Sequence, residues 1–317
     1  MNVAPKKILV IMVGFSCNNN CIMCSTRPKA QNNPDRTTEE IVSDLAKGRK
    51  KYSLVEFTGG EPTIRSDIFY LIKTAQELGY KKIGLSTNAR LLSYNDFLKK
   101  AVENGLNRVT FSLYGHTPEL HEAITRTPHS FEQTIKGVKN VLKYPQIAIN
   151  ANTVVFRLNF RYLSQIGRFI QRLGIKYWNL LDLIPDGYAK DLYQMLCPRI
   201  TELSKNLNSL EPILKDFYKV GFFDFPLCLF NKKMRQNPYA TFVTCQRRKE
   251  FTKQIGYQPK RLSVKSGVYE DIHKSRIPIC KSCIFFKTCG GVWKDYLNLY
   301  GGKEIIKLAK KHQCLKT

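Results

Sequence analysis

Residues 17–24 read CNNNCIMC and place three cysteines on a short segment, directly after a β-branched, apolar run at residues 7–13 that is typical of a β-strand. The three asparagines between the first two cysteines make this segment a polar loop, which argues against thiols packed as small hydrophobic groups. A structural zinc site usually takes four ligands. Three thiolates on a tight loop instead suit three irons of a four-iron cube and leave the fourth iron open. The spacing therefore predicts an iron–sulfur site with three ligands, Cys17, Cys21 and Cys24.

Strand-like and helical patterns alternate from this loop to about residue 187 and give six βα repeats. The sequence TTEE at residues 37–40 has the character of a capping box and begins one helix, while Gly79 and Gly174 end two others. Successive βα units predict a parallel sheet with right-handed crossovers, curled into a barrel. We therefore predict an α/β fold with a partial (β/α)6 barrel over residues 1–187.

The pattern changes after residue 187, and seven of the ten cysteines lie beyond this point. Residues 191–217 look helical, short mixed segments follow, and residues 303–312 have the pattern of a last helix. We therefore predict a second unit over residues 188–317, consisting of a helical extension and a small cysteine-rich domain.

The composition is that of an ordinary globular protein and excludes a disordered or low-complexity chain. Apolar runs stay far below the roughly 18 residues of a membrane span, and the N-terminal segment lacks the cleavage site of a signal peptide. The prediction is a cytoplasmic protein without membrane contact, whose thiols stay reduced and bind metal. The net charge of +26, from 51 Lys+Arg against 25 Asp+Glu, suggests an anionic partner but identifies none.

The spacing C-x3-C-x2-C at the end of a first strand resembles the signature of the radical S-adenosylmethionine (radical SAM) enzymes. The sequence FTGGEP at residues 57–62 resembles the glycine-rich motif of that family, and the similarity covers about residues 7–187. The resemblance implies a [4Fe–4S] cluster whose open iron binds S-adenosylmethionine. It also implies reductive cleavage to a 5′-deoxyadenosyl radical, which abstracts hydrogen from a substrate.

The same resemblance implies which residues contact S-adenosylmethionine. Glu61 is expected to hold the amino group of the cofactor, and the two glycines before it are expected to let the cofactor approach the backbone. A structural role at the surface stays open for Ser112 and Arg126. The full expected set lies in the glycine-rich motif and at the ends of later strands: Gly59, Gly60, Glu61, Pro62, Ser86, Asn88, Ser112, Arg126 and Ile184.

A second cysteine group lies at residues 280–289, which read CKSCIFFKTC. This spacing resembles the auxiliary-cluster segment of SPASM and Twitch radical SAM enzymes, and a zinc ribbon is the alternative. Position 293, which often carries another ligand in that pattern, is Trp293, so one auxiliary [4Fe–4S] cluster is favoured. Its expected ligands are Cys280, Cys283 and Cys289, with either Cys228 or Cys314 as the fourth and Cys228 slightly favoured. Two cysteines remain outside both groups, a core residue and one of open role: Cys197 and Cys245.

The substrate is less directly indicated. Residues 232–265 hold ten Lys/Arg with interleaved aromatic residues, which could contact nucleic acid or an acidic peptide or form a solvated face. Enzymes with this auxiliary segment commonly modify peptides, so the resemblance favours a peptide or protein substrate and a maturase-type modification. Modification of a nucleoside or tRNA and chemistry on a small metabolite are the alternatives, and a non-catalytic iron–sulfur protein is a remote one. The resemblance also implies a reductant partner such as flavodoxin or ferredoxin.

Overall fold

Nine parallel strands form one continuous sheet in the computed structural model, which describes residues 8–245, 252–255 and 272–316. Neighbouring strands in the chain pair with each other, except that the last strand pairs with the first at the opposite edge. The prediction of an α/β fold with a curled parallel sheet is confirmed, and three strands extend the six that were predicted. The strands are β1 (Ile8–Met12), β2 (Leu54–Thr58), β3 (Lys82–Thr87), β4 (Arg108–Ser112), β5 (Ala148–Val155), β6 (Tyr177–Asp182), β7 (Lys219–Phe223), β8 (Ala240–Val243) and β9 (Thr252–Ile255).

Helices connect the first six strands. Thr37 and Glu40 form the predicted capping box at the start of the first helix. Gly79 and Gly174 follow two helices with φ of +86° and +87°, a left-handed conformation that favours glycine. None of the described helices has the length and apolar composition needed to cross a membrane. The six helices are α1 (Thr38–Arg49), α2 (Ile68–Glu77), α3 (Asn95–Glu103), α4 (Pro118–Thr125), α5 (Ser130–Val141) and α6 (Leu163–Arg172).

The continuous helical stretch expected over residues 191–217 is wrong. Cys197 has extended backbone angles because Pro198 follows it, and a proline disfavours the helical conformation of the preceding residue. Short helices stand on both sides of this break, and β7 to β9 then continue the barrel sheet. The division of the chain at residue 187 stays a prediction. The remaining elements are α7 (Tyr188–Asp191), α8 (Tyr193–Leu196), α9 (Ile200–Asn208), α10 (Lys232–Gln236), β10 (Lys274–Ser275), β11 (Val292–Trp293), α11 (Lys294–Tyr300) and α12 (Lys303–Lys311).

The two faces of the strands differ in polarity, and this difference positions the site. One face is apolar and packs in the main hydrophobic core, for example Leu9, Ile11, Val55, Phe57, Leu85 and Phe111. The other face lines the inside of the sheet and is largely polar. Here Arg108 on β4 pairs with Glu56 on β2 at 3.2 Å, and the Asn179 amide donates to Asn152 Oδ1 at 2.9 Å. Alternation along each strand thus separates a dry core from a polar interior.

Candidate functional site

An open cavity lies at the carboxyl ends of β1 to β5, the end at which barrel enzymes carry their active sites. The three cysteines of the first loop lie on its wall and are partly exposed. Six other expected site residues share that wall: Gly59, Gly60, Glu61, Ser86, Asn88 and Ser112. The structure does not bring the remaining three to the wall: Pro62, Arg126 and Ile184.

The glycine-rich motif packs against the loop that carries the cysteines. The Gly60 N–H donates to the Gly14 carbonyl at 2.9 Å, and the Glu61 N–H donates to the Ser16 carbonyl at 2.8 Å. A Cβ on Gly59 would lie 2.5 Å from the Gly14 oxygen, and one on Gly60 would lie 2.0 Å from the Ser16 oxygen. The two glycines are therefore needed for the close approach of the glycine-rich motif to the backbone before the first cysteine. The sequence had suggested only that they let the cofactor approach.

The Glu61 carboxylate is buried and ties the loop after β2 to the loop after β3. Its Oε1 accepts from the Thr63 N–H at 3.1 Å and from the hydroxyls of Thr63 and Thr87 at 2.6 Å each, and its Oε2 accepts from the Asn88 N–H at 2.7 Å. Burial raises the pKa of Glu61, while these donors lower it. Each carboxylate oxygen has two lone-pair positions, and Oε2 uses one of them for the Asn88 N–H, which leaves the other for a further donor such as an ammonium group.

Arg126 contacts the cysteine loop in this structure, and its expected contact with the cofactor stays a prediction. It has φ of +51°, and its Nε donates to the Asn20 carbonyl at 2.7 Å. Its guanidinium also lies over the Tyr188 ring, 5.5 Å from the ring centre. The left-handed backbone at the end of α4 turns the side chain toward this loop, so Arg126 serves as a positioning residue in this structure.

Two further arginines hold the same loop and were missed by sequence reasoning. Arg27 donates to the Cys17 carbonyl at 3.0 Å and to the Asn19 carbonyl at 2.6 Å. Arg90 donates to the Asn18 carbonyl and, at 2.9 Å, to Asn19 Oδ1. Their only signal in the sequence is proximity to a motif, because Arg27 follows the third cysteine and Arg90 follows the end of β3.

Tyr114 is a further wall residue that the sequence did not indicate. It lies two residues after Ser112, on the same cavity wall. Burial raises the pKa of Tyr114 well above its ordinary value, and the nearby Cys21 thiol raises it further. The tyrosine hydroxyl is therefore a neutral hydrogen-bond donor beside the cysteine loop.

The turn after β6 closes the other side of the cysteine loop. The Tyr188 N–H donates to the Cys24 carbonyl at 3.0 Å, and a Cβ on Gly187 would lie 2.8 Å from the same oxygen. Ile184, one of the expected cofactor contacts, is half-buried and packs against the hydrophobic core. This turn supports the loop through its backbone.

The donor set of the first loop fits an iron–sulfur cluster. Burial raises the pKa of Cys17 to about 11 and raises that of Cys21 as well, so thiolates at this site require a compensating cation. In the described parts of the chain, no three His, Cys, Asp or Glu side chains converge as ligands of a single ion would. Thiolates on separate irons of a cube do not need to converge in that way.

The second cysteine group lines a cavity of its own. Cys228, Cys280, Cys283 and Cys289 line this cavity together, and Cys314 does not. Burial raises the pKa of Cys228 well above its ordinary value, and the other four thiols add to that effect, which places all five within electrostatic range.

Cys314 is buried beside this cavity and has partners of its own. Arg235 Nη1 donates to its sulfur at 3.5 Å, and the thiol donates to the His312 carbonyl at 3.7 Å. Burial raises the pKa of Cys314 to about 11, although Arg235 lowers it. Cys197 and Cys245, the two cysteines outside both groups, are buried as well.

The basic segment at residues 232–265 lies partly outside the described residues, which omit 246–251 and 256–271. Within the described part, Lys233 pairs with Glu211 at 2.9 Å. Arg235 donates to the His312 carbonyl at 2.8 Å and lies over the Phe285 ring. These two cations are therefore occupied by contacts within the chain.

Comparison with known proteins identifies one family. The model of the radical SAM superfamily matches residues 11–170, just over half of the 317-residue chain. A probable GTP 3′,8-cyclase of Sulfurisphaera tokodaii is 30% identical over 202 residues, which cover 63% of this chain and 61% of that relative. A probable GTP 3′,8-cyclase of Saccharolobus solfataricus is 29% identical over 188 residues, covering 59% of this chain and 60% of that relative. The chain thus spans about three fifths of the length of these relatives.

Solved structures share the architecture at lower sequence identity. Streptococcus suis SuiB bound to S-adenosylmethionine has a TM-score of 0.63 and 17% identity, covering 93% of this chain and 74% of that one. A structure of anSMEcpe with bound AdoMet and a peptide has a TM-score of 0.64 and 16% identity, covering 97% and 98%. At these identities the similarity shows the fold alone.

Proposed function

The chain belongs to the radical SAM superfamily, and on that premise we propose that it modifies a nucleotide, with GTP as the first substrate to test. The observation that carries this proposal is the pair of sequence relatives described as probable GTP 3′,8-cyclases. As in other members of the family, a [4Fe–4S] cluster with bound S-adenosylmethionine supplies a 5′-deoxyadenosyl radical that abstracts a hydrogen atom from the substrate.

The expectation of a peptide or protein substrate is wrong. The relatives at 29–30% sequence identity are described as enzymes of GTP. The neighbours solved with a peptide are only 16% identical, a level that carries information about the fold but not about the substrate. The nucleotide alternative therefore replaces the peptide hypothesis.

In this proposal the first loop holds the cluster and the surrounding wall holds the cofactor. Cys17, Cys21 and Cys24 are the three ligands, and Glu61 accepts from the cofactor's ammonium group through its remaining lone pair. Ser112 and Tyr114 add hydroxyl groups to the same wall. The three arginines around the loop keep the cysteines in place through backbone carbonyls and one amide oxygen: Arg27, Arg90 and Arg126.

The polar interior of the sheet supports a nucleotide as substrate. Asn152 is paired in register with Ser112 on β4 and with Asn179 on β6, so a row of polar residues extends across the sheet from the cavity wall. Amide and hydroxyl groups offer both donors and acceptors to a base edge or a ribose. An apolar substrate would leave the remaining donors and acceptors of these groups unsatisfied, at a cost of about 1–3 kcal/mol for each buried group.

The second cysteine group is proposed to bind one auxiliary [4Fe–4S] cluster of the Twitch-like type. Cys280, Cys283, Cys289 and Cys228 line a common cavity, which supports Cys228 as the fourth ligand.

The test compares Cys228→Ser with Cys314→Ser in the reconstituted protein by iron content and electron paramagnetic resonance. Loss of the auxiliary signal is expected only in the first variant, and loss only in the second would assign the ligand to Cys314.

The substrate is tested by anaerobic reconstitution with iron and sulfide, followed by dithionite, S-adenosylmethionine and GTP deuterated on the ribose. We expect 5′-deoxyadenosine that carries deuterium, together with consumption of GTP, measured by mass spectrometry. Cys21→Ala is the matched control and should form no 5′-deoxyadenosine. Formation of unlabelled 5′-deoxyadenosine with intact GTP would reject GTP as the substrate and leave the family chemistry in place.

A further inference from the structure

The loop between Cys283 and Cys289 exposes two large apolar side chains. Ile284 is 53% exposed and Phe286 is 39% exposed. Phe286 also lines the auxiliary cysteine cavity, so its ring lies between that cavity and solvent. Apolar side chains grouped at the surface next to a cofactor cavity are typical of an interaction site.

The same loop is surrounded by positive charge. Residues 276–294 contain four Lys/Arg and no Asp or Glu. Lys281 and Lys287 are exposed on either side of the apolar pair. The Lys316 N–H donates to the Ser282 carbonyl at 2.8 Å, which brings a third exposed lysine to this edge. An apolar centre with a cationic rim complements a partner surface that is acidic around a small apolar contact.

The cysteines beneath this surface are themselves accessible. Cys280, Cys283 and Cys289 are all partly exposed, whereas Cys314 is fully buried. Arg276 covers the Phe286 ring, 5.0 Å from its centre, and donates to the Cys289 carbonyl at 2.8 Å, so the exposed ring is fixed to the ligand loop. The patch is therefore a defined surface that lies directly over the auxiliary site.

We propose that this patch, formed by Lys281, Ile284, Phe286, Lys287 and Lys316, docks a small acidic one-electron carrier protein. The chemistry of the family consumes one electron for each S-adenosylmethionine cleaved. Electron-carrier proteins bind their partners through small, transient interfaces, and charge attraction guides their association. In the transfer, the carrier is oxidised by one electron and the bound iron–sulfur cofactor is reduced by one, with no group or proton exchanged. This inference rests on membership of the family and not on the identity of the substrate.

The binding test uses the reconstituted full chain and a flavodoxin as the probe. Lys281→Glu/Lys287→Glu should raise the Kd for flavodoxin by at least about tenfold, because two attractive charges at the rim become repulsive. The affinity of the parent should fall as salt rises from about 50 to 200 mM, since the attraction is screened. Lys136→Glu/Lys139→Glu on α5 is the matched control, with two exposed lysines and the same change of charge, and should leave the Kd within about twofold.

A second measurement separates docking from the chemistry. Dithionite is a small reductant that needs no protein surface, so the patch variant should cleave S-adenosylmethionine with dithionite at the parental rate. Reduced flavodoxin should reduce the cofactor of the patch variant more slowly than that of the parent, as monitored by stopped-flow absorbance.

The docking proposal would be overturned by equal binding of flavodoxin to parent and patch variant, by an equal loss of binding in the control variant, or by no binding to the parent. Loss of dithionite-driven cleavage in the patch variant would also overturn it, because the lysines would then act on the cluster site. Absence of dithionite-driven cleavage in the parent would instead count against the catalytic function.

Discussion

A methyl group on Gly60 would lie 2.0 Å from the carbonyl oxygen of Ser16, the residue before the first cysteine. We predict that Gly60→Ala displaces the cysteine loop and lowers the iron bound at the first site to about half or less, since backbone atoms cannot move aside as a flexible side chain can. Iron and sulfide per chain after reconstitution measure the effect. Gly174→Ala is the control, because it also strains a glycine, with φ of +87°, but meets nothing within 4 Å. Equal iron content in the two variants would contradict the prediction.

His121 is a buried histidine on α4 that the proposed reaction does not use. Its Nδ1 accepts from the Tyr114 N–H at 3.3 Å, and burial lowers its pKa to about 4. Because the unfolded chain binds this proton near pH 6.5, the stability that neutral His121 contributes is complete above that pH and is lost as the pH falls toward 4.

The free energy of unfolding should therefore fall by about 0.8 kcal/mol between about pH 7.5 and 6.0 through this residue alone. His121→Gln removes the titrating group and should reduce the pH dependence by that amount. Anaerobic denaturant titrations of both proteins at the two pH values measure it. The same loss of stability with falling pH in both proteins would show that His121 does not titrate as its burial requires.

At the scale of elements, the regular part of the barrel could be predicted because its signals are local. The capping box at Thr37 and the helix-ending Gly79 act within one turn of the chain, and the structure has both. The pairing of β9 with β1 could not be predicted, because the two strands are far apart in sequence and only four residues of each are joined. Local sequence patterns contain no information about the pairing of strands that are far apart in the chain.

The residues of the candidate site also divide into those that the sequence could predict and those that depend on contacts between distant segments. The wall residues that follow strands could be predicted because the carboxyl ends of parallel strands meet at one edge, as for Ser86 and Ser112. Arg126 was named as a cofactor contact from the family resemblance. The direction of its side chain depends on its own left-handed backbone at the end of α4, which the sequence does not reveal. Arg27 and Arg90 bind backbone carbonyls of another loop, and such contacts exist only once the chain is folded.

Arg90 connects three elements. From the loop after β3 it donates to the cysteine loop and, through Nε, to Gln133 on α5 at 2.6 Å. We predict that Arg90→Lys weakens binding of S-adenosylmethionine about fivefold and shortens the lifetime of the cluster in air, because one ammonium cannot span acceptors that a planar guanidinium reaches together. Equilibrium dialysis and the decay of the cluster absorbance measure both effects.

The control for this variant is Arg168→Lys on α6, an exposed arginine away from the cysteine loop. It makes the same chemical change and should leave affinity and lifetime at the parental values. If Arg90→Lys behaved like this control, the guanidinium would not be what fixes the cysteine loop, and Arg27 with Arg126 would be sufficient.

At the scale of the whole molecule, a buried ion pair fastens the auxiliary segment to the barrel. The Lys274 side chain on β10 is 1% exposed, and its Nζ lies 3.9 Å from Asp182 Oδ2 at the end of β6. Trp293 on β11 donates to the same carboxylate oxygen at 2.8 Å, and the lysine lies 4.4 Å from the centre of its ring. Burial raises the pKa of Asp182 to about 6, although Lys274 lowers it. One carboxylate therefore joins the sheet to both strands of the β10–β11 hairpin.

Removing one partner of this pair should cost more than removing both. Lys274→Met removes the cation that faces the buried Asp182 carboxylate, and Asp182→Asn removes the charge of that carboxylate beside the buried ammonium, so each should lower the free energy of unfolding by about 3 kcal/mol. The double variant should lose clearly less than the sum, which denaturant unfolding in a double-mutant cycle measures.

In Lys274→Met the pKa of Asp182 should rise further, because the lysine that lowers it is gone. A raised carboxyl pKa favours folding at low pH, so Lys274→Met should regain stability as the pH falls through this further raised pKa, while Asp182→Asn should not. Additive losses, or the same pH response in both single variants, would mean that the hairpin is held by apolar packing around Trp293 and not by the charges.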